Sequence, residues 1–407
     1  MIGLTREQEI LLYLMRSSMK RKPLTSPPAG TPPNWMAVYQ EAFQQAVPLL
    51  FFDAIAPLEA QLPTEVFQKS FEIARRVTAA NLRVEHAQHQ LVQVLETENI
   101  PYVILKGECA AADYPMPELR VLGDVDFLIP EDTTETVKEK MEALGYTHSW
   151  EPGTHHQVLE KPGICLEMHR EIAGVPEGEH RAATLEFFRD IYEKSVPLDR
   201  GAGAFRVPCR AHHGLILILH MQHHIVLQGM GLRHIMDWGC FVEKTQNEPF
   251  WNDTLLPMLK KIGLRRFAAV MTKVASLYLG TACPPWANDI PRELCDSLME
   301  DVMNGGNFGR KDRDRARAIN MMPQWESRDD KSGKLQLLYR TLRTSVIRQH
   351  PELEEMPVSL FFHMTGKTLR YTVLFCQGKR PNLLKAASHA DTRRSVYEQL
   401  EMFHPEK

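Results

Sequence analysis

Leu105-Lys106-Gly107, followed by Arg120-Val121-Leu122-Gly123-Asp124-Val125-Asp126-Phe127-Leu128-Ile129, is the stretch whose reading decides the fold of this chain. The apolar run 102–105 predicts a short buried strand, and 120–129 predicts a second. On a strand, residues i and i+2 share a face, so Asp124 and Asp126 face the same way. Two carboxylates on one face of a central strand are costly unless their charge is compensated. A divalent cation with hard oxygen ligands is the usual solution. Gly107 stands between the first strand and a helix predicted over 107–114, so its backbone can approach a phosphate at a helix N-terminus. Lys106 and Arg120 are the nearby cations that could neutralise phosphate charge.

The chain downstream supplies a third acid. Glu131-Asp132 predicts the start of a helix over 134–144 that stops at Gly145. Residues 156–160 and 164–169, joined by Lys161-Pro162-Gly163, predict a β-hairpin. In its second strand Ile164, Leu166 and Met168 alternate with Cys165, Glu167 and His169. One face is apolar, so Glu167 and His169 share the other. Laid beside the Asp124/Asp126 strand, this strand would bring Glu167 to the aspartates. Three carboxylates can hold two Mg²⁺ ions about 3.5–4 Å apart, the arrangement that clamps attacking and leaving oxygens in phosphoryl transfer.

Outward from this unit the pattern turns helical. Residues 1–100 carry helical spacing over 35–58 and 66–98, the second ending in Glu98-Asn99-Ile100-Pro101, and a five-proline break over 22–33 that reads as a loop or arm. Residues 206–407 are again helical in pattern, with a charged loop around 305–317. The fold class expected is α+β: a small mixed β-sheet core over 101–205 between extensive N-terminal (1–100) and C-terminal (206–407) α-helical regions.

Composition excludes several classes. With 43% hydrophobic and 24% charged residues the chain reads as ordinary globular protein. A net charge of −3 gives no global reason to expect nucleic-acid binding. Seven cysteines at 109, 165, 209, 240, 283, 295 and 376 include no Cys-x-x-Cys pair, which suits reduced thiols in a cytoplasmic protein. The N-terminus shows no signal peptide, and no apolar run approaches the roughly 20 residues of a membrane span. The longest, 215–227, is interrupted by His220, Gln222, His223 and His224. P-loop, dinucleotide-binding, nucleophile-elbow and His-Glu-x-x-His signatures are absent.

Leu105-Lys106-Gly107, Tyr114-Pro115, Arg120, Gly123-Asp124-Val125-Asp126-Phe127-Leu128-Ile129, Gly145-Tyr146 and Glu167-Met168-His169 together resemble an uncharacterised nucleotidyltransferase family of the DNA polymerase β superfamily. The resemblance covers about residues 95–172. The segment 220–243, with Gly231-Leu232-Arg233 and Asp237-Trp238, is similar to a helical region that follows in such proteins. What the resemblance implies is a nucleotidyltransferase using Mg²⁺ (or Mn²⁺) and an NTP such as ATP. Asp124, Asp126 and Glu167 would be the metal ligands and catalytic acids. Lys106, Gly107, Arg120, Gly123, His169 and Arg233 would face the nucleotide. The acceptor would be a small molecule or protein hydroxyl ahead of nucleic acid. Two departures stand out: Gly107 is followed by Glu108 where the family commonly has serine or glycine, and His169 competes with Glu167 for the third functional position.

Plainer readings stand beside these. An Asp-x-Asp pair can cap a loop, Lys106 can form a surface ion pair, and Arg120 can orient Asp124 or Asp126 structurally. Glu167 can be an exposed strand residue and His169 a packed one. Arg233 and Asp237 lie i,i+4 and would form an intrahelical salt bridge. The histidines at 212, 213, 220, 223, 224 and 234 open another class: His220 and His224 are i,i+4, and a helical metal-dependent phosphohydrolase would use them with Asp237. A catalytically silent nucleotide-binding or scaffold protein of the same fold is the remaining alternative.

Overall fold

The computed structural model describes residues 3–150 and 156–309 except 177, 202 and 228, together with 311, 339, 342, 343, 346, 347, 350, 353, 356–376 and 399–402. Most of the charged stretch 305–317 lies outside the described residues, as does much of the expected helical pattern beyond 309.

Helix α1 (Arg6–Met19) opens on a capping box: Thr5 Oγ1 accepts from the Gln8 amide, and Gln8 Oε1 accepts from the Thr5 amide at 3.0 Å. The proline-rich break then runs without regular structure, mostly at the surface. The pattern over 35–58 predicts one continuous helix, but the chain divides it into α2 (Trp35–Gln44) and α3 (Pro48–Ile55). Pro48 disfavours helical backbone at Val47 and takes the first position of a new helix, where its missing N–H costs nothing. Ala46, at φ +57°, makes the turn. Helix α4 (Thr64–Thr97) is 34 residues long and ends where Asn99 adopts φ +54° ahead of Pro101.

A five-stranded sheet follows, formed by β1 (Val103–Ile104), β2 (Val125–Leu128), β3 (Thr147–Ser149), β4 (His156–Lys161) and β5 (Ile164–His169). Its spatial order is β1-β2-β5-β4-β3. Strands β4 and β5 form the expected Pro-Gly hairpin, and β5 lies parallel to β2 with Asp126 opposite Glu167. Helix α6 (Thr134–Ala143) and then β3 and β4 intervene between them, the long crossover that a parallel pair requires. One sheet face, carrying Val125, Phe127, Leu166 and Met168, packs with Ala87, Leu91 and Leu95 of α4 and with Val137 and Met141 of α6. Across the other face, Val103, Leu105 and Leu128 join a second core built from α1–α3 and the C-terminal helices. Those include α8 (Arg210–Leu227), α9 (Leu232–Thr245), α10 (Leu256–Lys261), α11 (Arg265–Leu279) and α12 (Arg292–Gly305). The polar side chains of β2 and β5 therefore lie between the sheet and the helical body.

Three local expectations change. The strand expected over 120–129 is only Val125–Leu128, because the buried Asn81 of α4 takes the backbone before it: Nδ2 donates to the Arg120 carbonyl at 2.8 Å and Oδ1 accepts from Leu122 N–H at 2.9 Å. The helix expected over 107–114 is the single turn α5 (Glu108–Ala111), since Pro115 and Pro117 prevent its continuation. Strand β3, helix α7 (Glu179–Phe187) and the hairpin β6 (Val196–Asp199)–β7 (Ala204–Val207) were not read from periodicity; these elements are too short, or too exposed, to carry a clear pattern.

Gly174, after β5, presses the chain against α8. It adopts φ +82°, and a Cβ there would stand 2.5 Å from the Leu219 carbonyl oxygen. Gly174→Ala combines left-handed backbone with a clash against a helix, so a loss of about 1–3 kcal/mol in folding stability is expected. Chemical denaturation measures it; a midpoint unchanged from wild type would mean that the loop relaxes freely.

Candidate active site

The ladder itself aims the site. Leu105 N–H donates to the Asp126 carbonyl at 2.9 Å, which leaves the next residue, Lys106, beside the Asp126 side chain. Lys106 Nζ lies 2.6 Å from Asp126 Oδ1, and His169 Nε2 lies 3.0 Å from the same oxygen. His169 Nε2 is also 3.5 Å from Glu167 Oε2. Asp126 and His169 are buried, Glu167 is half-buried and Asp124 is exposed at the mouth. Asp124, Asp126 and Glu167 each offer a carboxylate oxygen, all within 4.8 Å of one another. The convergence expected of the three acids is thus met, with Asp124 contributed by the loop immediately before β2 instead of by the strand.

Electrostatics follow from this crowding. The Asp126 carboxylate next to it, with partial burial, pushes Asp124 up to about 6. Burial works against charge on Asp126, but Lys106 and the His169 hydrogen bond outweigh it and hold that carboxyl well below the usual carboxylate range. Burial likewise opposes charge on His169, and its hydrogen bonds to Asp126 and Glu167 prevail, raising it. Both contacts to Asp126 fall on Oδ1, and a carboxylate has two oxygens. Three hard oxygen donors on three carboxylates are a donor set suited to Mg²⁺ or Mn²⁺. His156 joins Glu167 and His169 in an overlapping set of ligand atoms, with the two imidazole rings 5.2 Å apart. Sequence pattern placed His156 in the hairpin but did not single it out.

The arginines exchange partners relative to expectation. Arg120 does not reach Asp124 or Asp126, and Arg233 does not bridge to Asp237. Instead Arg120 grips Asp237 with both ends of its guanidinium, Nε to Oδ1 at 2.8 Å and Nη2 to Oδ2 at 2.7 Å. Tyr114 donates its hydroxyl to the same Oδ1 at 2.7 Å. The buried bidentate pair satisfies four atoms at once and the Tyr114 hydroxyl a fifth, more than a single i,i+4 contact does. Two nitrogens of the Arg120 guanidinium are thus engaged by Asp237. Arg233 instead meets the loop that leads to Asp124: Nη1 donates to the Val121 carbonyl at 3.3 Å, its Nε is buried without a hydrogen-bond acceptor, and Asp237 and then Asp124 are the acids acting on it. Tyr114 and Asn81 both hold the loop that leads to Asp124; neither left a signal in sequence pattern, because their role is to meet distant backbone and side-chain groups.

Gly107 adopts φ +57°, ψ −108°, open to glycine and strained for other residues. Its neighbour Glu108 points away from the acids: Oε2 accepts from Arg200 Nε at 2.7 Å, and the carboxyl faces Glu85 on α4. Burial, reinforced by the Glu108 carboxylate beside it, pushes Glu85 up to about 7. The sign of its contribution is fixed by linkage. Between about 4.5 and 7 the folded chain keeps a proton on Glu85 that the unfolded chain has lost, so this group's contribution falls as pH rises. Glu85→Gln should raise the melting temperature at pH 8 and leave it unchanged near pH 4. Equal shifts at both values in thermal melts would refute the assignment.

Two spaces adjoin the acids. A small cavity lies between the sheet and α8, lined by Lys106, Asp126, His169 and His220 among others. An open groove of 590 Å³ runs past Gly123, Cys165 and Lys161 at the sheet's outer end. His220 lines the first of these from the helical side, with ring nitrogens of His224 and His234 within 4.8 Å of its own, whereas Asp237, which a phosphohydrolase would need with them, has both oxygens engaged by Arg120 and Tyr114.

A mixed sheet with two aspartates on β2 and its approach, a third acid on a parallel neighbour and a glycine-bearing turn defines a nucleotidyltransferase-type core, consistent with the DNA polymerase β superfamily. The chain belongs to a family described as uncharacterised nucleotidyltransferase, whose model matches residues 31–280. Comparison with curated proteins returns no match. The matched span takes in α2–α4, the whole sheet and α8–α11, so the helices flanking the acids belong to the family's shared unit. No helix among the described residues is long and apolar enough to cross a membrane.

Proposed function

We propose that this protein is a Mg²⁺-dependent nucleotidyltransferase that moves an NMP from an NTP to an acceptor hydroxyl. The observation that carries the reading is the approach of the Asp124, Asp126 and Glu167 carboxylates to within 4.8 Å of one another on one sheet. Asp124 and Asp126 would hold two divalent ions, with Glu167 on the ion nearer the acceptor. Bound there, the ions would neutralise phosphate charge and acidify the acceptor hydroxyl. The acceptor oxygen would bond to the α-phosphorus as the bond to the β-phosphate oxygen breaks, pyrophosphate leaves and Glu167 takes the acceptor proton. Lys106 and Arg233 supply cations on either side of the acids, and the Gly107 turn lets phosphate oxygens approach the backbone. His169, locked between Asp126 and Glu167, fixes their orientation. The groove beyond Gly123 has the size of a ligand site and lies in the open, where nucleotide and acceptor could meet. A small molecule or a protein hydroxyl fits as acceptor better than a long nucleic acid, which would need many more cations than the site offers.

One observation favours the silent alternative, a nucleotide-binding or scaffold protein. Glu108 occupies the position after the glycine, where the family commonly has serine, and Arg200 holds it away from the acids. Calorimetric titration of ATP, GTP, CTP and UTP with Mg²⁺ tests the site itself. Metal-dependent binding of at least one NTP supports it; a folded protein that binds none overturns the transferase reading.

A further inference from the structure

Behind Lys106, on the helical side of the small cavity, lies a second group of metal-ligand atoms chemically unlike the first. His220 and His224 are one turn apart on α8, and His234 reaches them from the first turn of α9. The three ring centroids are 4.3, 4.9 and 5.3 Å apart, and one nitrogen from each ring lies within 4.8 Å of the other two. His224 and His234 are buried, and His220 opens onto the cavity it shares with Lys106, Asp126 and His169. His220 Nε2 and His224 Nε2 are 2.7 Å apart, so one of them donates to the other.

We propose that His220, His224 and His234 form a transition-metal site, selective for Zn²⁺ over Mg²⁺ and separate from the three carboxylates. Imidazole nitrogen suits Zn²⁺, whereas Mg²⁺ takes oxygen, so two adjacent sites on one chain would divide the two metals by donor type. Neutral imidazole is the form that ligates, and two of these three rings are buried while the third opens on the cavity. Tetrahedral zinc with Zn–N of about 2.0–2.1 Å sets ligand nitrogens roughly 3.3 Å apart. The His220–His224 pair must therefore open slightly, and the proton between them moves to the Nδ1 of the ring that carries it. The third and fourth positions follow from the fold: His234 closes one side, and the cavity holding His220 leaves the other open to a small ligand. The charges facing the cluster are Lys106, Arg233 and Arg120, all cations, so imidazole–metal bonding and not charge attraction must hold a dication there. Asp126 and Glu167 are themselves held by Lys106 and His169 on the sheet. Asp237, the nearest other acid, is already matched by Arg120.

This inference does not rest on the transferase reading, because the experiment separates the two sites. The full chain and two variants, Asp126→Asn/Glu167→Gln and His224→Gln, are equilibrated with Zn²⁺, dialysed and assayed for bound metal. Co²⁺ is then titrated into each and followed by visible absorption. The expected result is one zinc per chain retained in the carboxylate variant and lost in His224→Gln, with the intense Co²⁺ bands of four-coordinate nitrogen ligation in the carboxylate variant. Wild-type protein without zinc, or zinc held equally by His224→Gln, overturns the site. Should His224→Gln fail to fold, the carboxylate variant still decides: no metal there, or only the weak spectrum of six-coordinate Co²⁺, overturns it.

Discussion

Replacing Asp126 by asparagine is expected to abolish detectable Mg²⁺-dependent NTP binding and to lower any transferase activity by about 10³-fold or more. Charge neutralisation by bound ions contributes several kcal/mol in phosphoryl transfer, and about 1.4 kcal/mol corresponds to tenfold in rate. Asp126 is the centre of the site, touching Lys106 and His169 and standing within ligand distance of Asp124 and Glu167. Asparagine keeps the shape and removes the charge. It also leaves Lys106, which is mostly buried, without its anionic partner, so a moderate loss of stability accompanies the change. Calorimetry with each NTP, alongside thermal melts, distinguishes loss of the site from loss of the fold. Glu167→Gln serves as the companion variant: half-buried and less entangled, it should remove activity while leaving the melting temperature nearly unchanged. Undiminished metal-dependent binding in a folded Asp126→Asn protein would place the nucleotide elsewhere.

The second large effect concerns stability and falls on a residue outside the acids. Asp237→Ala should cost about 3–5 kcal/mol, because it strands the buried Arg120 guanidinium and removes the acceptor of the Tyr114 hydroxyl. For a protein of this size the melting temperature should fall by about 4–6 °C. The double variant Arg120→Met/Asp237→Leu should recover most of the loss, since replacing a whole buried pair with apolar side chains is often close to neutral. If Arg120 instead served phosphate, Asp237→Ala would leave stability almost unchanged and alter NTP affinity. Melting curves and NTP titration of the same variants separate those outcomes. The loop carrying Gly123 and Asp124 begins at Arg120, so the pair, together with Asn81, also sets where Asp124 stands.

Local pattern was sufficient wherever the physics is short-range. Alternation along 164–169 set the faces of β5, Pro162-Gly163 set its hairpin, and the i,i+2 relation put Asp124 and Asp126 on one side. These follow from backbone geometry, which each residue carries with it. Pro48 shows the limit of periodicity: the apolar spacing runs through it, but the ring breaks the helix. Pairing between distant charges was not legible. Arg120 and Asp237 are 117 residues apart, and nothing in either neighbourhood distinguishes that match from Arg233 with Asp237. Geometry decides it: the fold brings two Arg120 donors onto the two Asp237 oxygens, and in a low-dielectric interior that outweighs proximity along the helix.

By itself, then, the sequence determined the α+β class, the hairpin, the carboxylate face and the glycine turn, since each depends on residues a few positions apart. Only the tertiary structure decided that β5 runs parallel beside β2 with Glu167 level with Asp126. It alone packed α1–α3 with α8–α12 into one core over the polar face of the sheet. It alone brought three histidines from two helices behind Lys106. Those relations are set by which faces must be hidden from water together, and that choice is made by the whole chain at once.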